Sequence, residues 1–245
     1  SDEMGGRDTP SVGLDLTAKF IGTLLSRWGL KPAGDNGTFY QKIALRRESV
    51  DPAATKLAID GTSFVFNEDF FRMNGNADVA NAPLVFGGSG WMVKSKNFDA
   101  LQGVDAAGKI IVLYSEGFPS QNRLTALPPG IAQADLTGAS GADWADPLTN
   151  ARAKGAVGVI LVASPQIQNA WAQIRSFFSR GSLYPEKLRE QPAGSGNNNN
   201  SNFPVFLVSQ KVGDAILAGE SGNKTASAAF AVNKTATMNA AAKNE

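Results

Sequence analysis

Apolar residues recur at helical spacing in one stretch near the start of the chain and at strand-like spacing over most of the rest. Leu14, Ala18, Ile21, Leu25 and Trp28 lie three or four apart, and Phe20 and Leu24 widen the stripe. That spacing predicts an amphipathic helix of roughly four turns. Thr9-Pro10-Ser11 is a helix-start signal. Gly29, Leu30 and Pro32 supply a left-handed cap, its hydrophobic contact and a stop. Gly34 to Gly37 is a turn cluster. Phe39 to Leu45 alternates apolar and polar residues and reads as a strand, and Leu57 to Phe66 reads as a hairpin turning at Asp60-Gly61. Asn67 to Asn81 is polar and irregular. Ala82 to Phe86 is a short strand ending at Gly87-Gly88-Ser89-Gly90, and Lys96 to Leu101 is a short helical or turn segment.

The pattern then alternates between strands and helices. Lys109 to Ser115 is a strand entered through the turn Asp105 to Gly108, and Gly117 to Asp143 is loop-rich. Pro147 to Lys154 is a helix broken at Gly155. Val157 to Ala163 is a strand apolar on both faces, and Ile167 to Phe178 a further helix. Gly194 to Asn202 is a low-complexity surface loop. Phe203 to Val208 is a strand, Lys211 to Ala218 a helix stopping at Gly219, and Ser227 to Met238 an alternating strand. The final AAAKNE looks frayed or linker-like. Strand, helix, strand, helix with extra hairpins implies an α/β or mixed domain whose core runs from about Leu84 to Val232. No internal repeat of fixed period is visible.

Composition narrows the function. A length of 245 residues allows one large domain, or one with appendages. A hydrophobic share of 42% predicts a packed core, and 26 glycines with 12 prolines predict many turns and short strands. With 23 basic and 22 acidic residues and no basic block, there is no electrostatic footprint for nucleic acid or an anionic membrane. The longest apolar stretch, Ala156 to Ala163, is strand-length, far short of a bilayer span. The chain opens at Ser1 on a polar, Gly-rich stretch with neither initiator Met nor signal peptide, which reads as processing or excision. Without cysteine there are no disulfides or thiolate sites. Without histidine there is no Ser–His or Cys–His pair, and a metal site would be built from carboxylates alone, which suits hard cations better than zinc.

Residues that could still carry chemistry have plainer explanations. Asp135, Asp143 and Asp146 form the closest acid cluster, but Asp146-Pro147 reads as a helix N-cap and Asp143 as part of a solvated loop. Glu68-Asp69 and Asp2-Glu3 are adjacent pairs that point apart. Gly87 to Gly90 follows a strand like a phosphate loop but lacks the Lys-Ser/Thr that completes one. Ser95-Lys96 lies too close in sequence for nucleophile–base geometry. Asn36, Asn199, Asn223 and Asn233 begin glycosylation motifs, at a frequency expected by chance.

Two stretches together resemble a known family. SDEMGGRDTPSVGLDLTAKFIGTLLSRWGLKPAGDNGTFYQ, with its Ser-Asp, Gly6-Arg7, Thr-Pro, helix, Gly-Leu-Lys-Pro-Ala-Gly and aromatic-Gln, resembles the opening segment of the zinc-dependent aminopeptidases that include bacterial leucyl aminopeptidases and transferrin-receptor relatives. Gly103 to Leu113, Asn150 to Val162 and Phe203 to Ser209 resemble a protease-associated domain, a module inserted before or within the catalytic domain of such peptidases. The resemblance implies a swivelling β/β/α fold, a barrel-like mixed sheet flanked by short helices and preceded by the amphipathic helix. It implies an opening segment over 1–45, connecting strands over 46–83, the protease-associated domain over 84–235 and a linker over 236–245. The family's zinc ligands lie on motifs such as Gly-Ala-His-Tyr-Asp that follow this domain, so no catalytic or metal residue carries over. Zinc belongs to the parent peptidase.

The resemblance therefore implies a non-catalytic substrate-access or interaction module of an exported, periplasmic or extracellular, zinc aminopeptidase. Its partners would be the peptidase domain and a peptide or protein substrate, with no nucleic acid or membrane. Arg7 is a site candidate because it lies in the segment that abuts the peptidase domain. Leu14, Phe20, Ile21, Leu24, Leu25 and Trp28 form an interdomain packing helix that would bury several hundred Å² at about 25 cal/mol per Å². In this chain the helix is expected to dock on the protease-associated domain, or to pair two copies through residues 11–29. The rival readings are a free-standing peptide-binding protein and a carboxylate-metal hydrolase.

Overall fold

The computed structural model describes residues 8–114, 125–178, 181–186, 203–222 and 224–244. The chain divides into two compact units: Ser1–Arg46 with Tyr184–Glu190, and Arg47–Leu183 with Gln191–Glu245.

The first unit is built around helix α1 (Val12–Arg27). The Ser11 hydroxyl accepts a hydrogen bond from the Leu14 amide at 3.1 Å, satisfying one of the free donors of the first turn. At the other end Gly29 adopts φ 73°. Its amide donates to Ser26 O at 3.0 Å and the Leu30 amide to Leu25 O at 3.2 Å, closing a Schellman cap. Inside the helix only Gly13 and Gly22 are buried. Gly22 faces Tyr40, whose hydroxyl lies 2.5 Å from where a Cβ would stand, so a larger residue there would push the ring aside. Tyr40 is held by the tight loop after the helix: the Asp35 amide donates to Tyr40 O at 2.7 Å, and the Lys42 amide to Asp35 Oδ2 at 2.8 Å. The strand expected over Phe39 to Leu45 begins only at Leu45, because residues 39–44 have no ladder partner among the described residues.

Fourteen strands are described. The first seven are β1 (Leu45–Val50), β2 (Lys56–Ile59), β3 (Thr62–Phe64), β4 (Phe70–Asn74), β5 (Ala77–Phe86), β6 (Met92–Val93) and β7 (Phe98–Asp99). The rest are β8 (Ile110–Tyr114), β9 (Trp144–Ala145), β10 (Gly158–Val162), β11 (Ser182–Pro185), β12 (Val205–Val208), β13 (Phe230–Ala240) and β14 (Ala242–Asn244). Four helices accompany them: α2 (Pro147–Ala153), α3 (Pro165–Asn169), α4 (Trp171–Phe178) and α5 (Gln210–Leu217).

The main sheet has the order β3-β2-β13-β5-β8-β10-β12-β4. Strands β5, β8, β10 and β12 are parallel, and β13, β2, β3 and β4 add antiparallel pairs on the two sides. The edge strands β3 and β4 are consecutive in sequence, separated only by residues 65–69. Five residues span at most about 17 Å, so the sheet must curl until its edges approach, giving a nearly closed, barrel-like sheet.

The parallel strands are apolar on both faces because both faces are covered. Leu84, Phe86, Ile110, Val112, Ile160, Val162, Phe206 and Val208 pack inward with Val212 and Ile216 of α5. Val85, Ile111, Leu113, Val159, Leu161 and Leu207 face the other way, onto Ala151 of α2, Ile167 of α3 and the α4 residues Trp171 and Ile174.

Three local expectations are corrected. Asn67 to Asn81 contains β4 and the start of β5 rather than irregular chain: Phe70 and Phe71 are fully buried, and the polar residues of β5 find partners on β13, Asn81 with Thr237 and Asp78 with Asn239. Ile167 to Phe178 is two helices, interrupted at Ala170. The terminal AAAKNE contributes β14, which runs antiparallel to β1 with Glu48 opposite Asn244 and Val50 opposite Ala242. Residues 46–83 supply β2, β3, β4 and part of β5 to the same sheet as residues 84–208.

Candidate functional site

In an open parallel sheet, ligands bind outside the carboxyl ends of the strands. Here the described loop after β5 is bonded mainly within the protein, although Ser89 Oγ is buried without a hydrogen-bond partner among the described residues. In the loop after β5, the Gly87 amide donates to Val112 O at 2.9 Å, Ser89 to Ala226 O at 2.7 Å and Gly90 to Gly87 O at 2.9 Å. The loop's carbonyls accept from the Tyr114 amide, the Thr125 hydroxyl and Asn150 Nδ2. Gly88 sits at φ 51°, where a Cβ would strike the Ala226 carbonyl. Its glycine serves close packing, not a phosphate. The helix starts are capped as well: α2 by Asp146 Oδ1, which accepts from Leu148 at 2.9 Å and Thr149 at 3.2 Å, α3 by Ser164, and α5 by Gln168 Oε1 at 2.9 Å from the Gln210 amide.

The acidic residues are likewise engaged. Asp135 accepts from the Ala132 amide at 2.8 Å and pairs with Lys96 at 3.2 Å; these hold its carboxyl below the usual range. Asp143 accepts from the Ala139 amide at 2.9 Å. Asp69 is buried between the Val65 amide and Lys211, while Glu68 is exposed. Ser95 donates to Asp135 O and Lys96 pairs with the same residue's carboxylate, so the two do not face each other as nucleophile and base. Among the described residues no group of three His, Cys, Asp or Glu could hold a metal ion, and the donor set does not fit zinc. No described helix is long and apolar enough to cross a membrane. Asn36 and Asn233 are exposed; Asn199 and Asn223 lie outside the described residues.

One polar cluster, built on the buried Asn150, ties α2 to the short β6–β7 hairpin. Asn150 Nδ2 donates to Gly90 O and to Asp99 Oδ1, each at 3.0 Å, and Lys154 pairs with Asp99 Oδ2 at 2.8 Å. Burial opposes ionisation of Asp99 more than any single contact favours it. Together, however, the bonds from Lys154, Asn150 and the Leu101 amide hold the carboxyl below its ordinary value. The cluster is self-satisfied and architectural.

The unsatisfied surface lies on the first unit. Of the residues predicted to pack across an interface, Phe20 is 56% exposed, Trp28 70% and Ile21 about half, while Leu14, Leu24 and Leu25 are partly buried. Val12, Leu16, Leu30 and Ile43 join them in solvent and were not anticipated. Their signal was present in the sequence: Val12 and Leu16 are four apart on a second side of the helix, so the apolar surface wraps well beyond one stripe. Arg7 lies outside the described residues.

Taken together, these features define a class: a mixed α/β domain with a nearly closed sheet, few short helices, no assembled chemical site among its described residues, and an uncovered apolar helix ahead of it. No family model and no curated protein matches the sequence. Among solved structures, the chain is similar to an aminopeptidase from Aneurinibacillus sp. strain AM-1, at 17% identity and TM-score 0.41 over 96% of this chain and 40% of that one. It is also similar to a zinc aminopeptidase from Bacillus subtilis, at 16% identity and TM-score 0.37 over 99% of this chain and 42% of that one. The chain thus spans about two fifths of each.

Proposed function

We propose that this chain is a non-catalytic module of an exported zinc aminopeptidase, with its barrel-like sheet acting as a protease-associated domain that governs access of peptide or protein substrates. The catalytic zinc and its ligands belong to a peptidase domain, which covers α1. The observation that carries this reading is the unburied apolar helix. Phe20, Ile21 and Trp28 stand in solvent on a helix that is nevertheless capped at both ends, as expected of an element built to be covered.

The test is to purify the chain and assay it on amino-acid anilides with added zinc, and separately to express it together with the polypeptide encoded after Glu245. The chain alone is expected to give no turnover. The longer product should show zinc-dependent cleavage, with the fluorescence of Trp28 shifting to a buried signature. Turnover by the chain alone, or a following sequence without metal-ligating residues, overturns the proposal.

A further inference from the structure

The main sheet ends on β3 and β4, and the loop over residues 65–69 joins them. Two helices hold that loop by different chemistry. From α4, Trp171 Nε1 donates to Glu68 O at 2.7 Å, and the same side chain packs on Phe71 with ring centroids 4.7 Å apart. Neither contact involves a charge. From α5, Lys211 Nζ donates to Asp69 Oδ1 at 2.9 Å. The Ser209 amide, just ahead of α5, donates to Asp69 O at 2.8 Å. Asp69 Oδ2 accepts from the Val65 amide at 3.0 Å, so this carboxylate also ties the first residue of the loop to the last. Lys211 Nζ lies 5.9 Å from the centroid of the Phe64 ring as well. One ammonium group therefore reaches both the final residue of β3 and the residue that precedes β4.

The ion pair is lopsided. The Asp69 side chain is 10% exposed and that of Lys211 70%. A carboxylate withdrawn from water depends on its partners, while an ammonium in solvent is open to screening by salt. Two other carboxylates lie close along the same segments. Glu68 is exposed in the loop, and Asp214, one turn along α5, pairs with Lys224 at 3.7 Å. Neither replaces the cation at Asp69.

We infer that the 65–69 loop is a salt-sensitive latch on the sheet. Loss of the Lys211–Asp69 pair swings the loop away from α5 about the uncharged Trp171 contact and opens the sheet between its two ends, while the centre of the sheet stays folded. The rings nearest the opening are Phe66 and Phe70, which meet edge to face at 5.5 Å. The latch goes beyond the proposed function and is independent of what covers α1.

The test is amide hydrogen exchange on the whole chain, followed residue by residue in low salt and in about 1 M sodium chloride, where the screening length falls to about 3 Å. In the native chain, exchange at Val65 and Ser209 is expected to rise about tenfold with salt, while Val112 and Ile160 in the centre of the sheet and the Trp171 indole N–H stay unchanged. Lys211→Met keeps an unbranched side chain over Phe64 and removes the charge. It should exchange fast at Val65 and Ser209 already in low salt and lose the response to salt, and Lys211→Arg should restore both. Three results overturn the inference: salt-insensitive exchange at the two amides in the native chain, native-like protection of them in Lys211→Met, or acceleration shared by Val112, Ile160 or the Trp171 indole. The last would report loosening of the whole sheet, or of the α4 side, rather than a latch at Lys211.

Discussion

Nine of the eleven large hydrophobic residues exposed among the described residues lie between Val12 and Leu45, and only Val65 and Leu183 lie elsewhere. From Leu57 onward, by contrast, the sheet buries its large apolar side chains almost without exception. Both regions have sound local structure, with capped helices and well-formed turns, so the difference is not one of local propensity. It is a difference in what each region has to pack against. The described residues of 56–240 carry both walls of their own core, whereas α1 leaves much of its apolar surface exposed.

The contrast predicts that the largest effects of substitution come from the sheet. Phe206 stacks on Phe70 with ring centroids 5.2 Å apart, and both are fully buried. Phe206→Ala removes an aromatic ring from a site walled by sheet on one side and α5 on the other, leaving a cavity that cannot easily collapse. A loss of about 3–5 kcal/mol is expected, read as a lowered urea midpoint at unchanged slope. A change below about 1 kcal/mol would show that the core is looser than its burial implies, and would weaken the contrast with α1.

The polar cluster under α2 comes next. Asn150→Ala leaves the Gly90 carbonyl buried without its donor and strips one bond from Asp99, for an expected cost of about 1–3 kcal/mol in the same measurement. Asp99 also gives an acid dependence. Its folded-state pKa lies below the ordinary carboxylate value, about 3.9, so the unfolded chain takes up the proton first as pH falls. Its contribution is present above the unfolded value and is lost as pH drops through the folded one. The stability gap between the native chain and Asp99→Asn should therefore be widest above about pH 5 and close on acidification toward about pH 2.

How much of this was legible beforehand depends on how local the cause was. The Asp60-Gly61 hairpin, the Asp146 cap and the Gly29 cap are each decided within a few residues, and each was read from sequence. The β4 and β5 residues between Asn67 and Asn81 were missed because their partners, on β12 and β13, come more than 120 residues later. The three-residue β14, Ala-Lys-Asn, is too short to show a side-chain pattern, and its pairing with β1 makes it a strand. Residues 39–44 show the converse: a strand pattern is present, but among the described residues no ladder partner is. In the candidate surface, the stripe from Leu14 to Trp28 was visible as a helical period, but Val12 and Leu16 fall off that stripe and Ile43 lies outside the helix. No periodicity argument centred on one face could have collected them.

The smallest expected effect is the most discriminating. Phe20→Ser with Trp28→Ser exchanges two exposed aromatics for a residue of similar helix propensity, so neither the helix nor any core of the chain loses a contact that matters. Stability should stay within about 0.5 kcal/mol and helical circular dichroism should be unchanged, while binding of a hydrophobic dye to the chain should fall. Were these side chains part of a packed core, their removal would instead resemble Phe206→Ala and cost several kcal/mol. A near-neutral result would therefore mean that the apolar face of α1 contributes nothing to holding this chain together. Its large side chains would then be explained only by something that covers them, whereas a large loss would place α1 in the same category as the sheet and remove the contrast between the two regions.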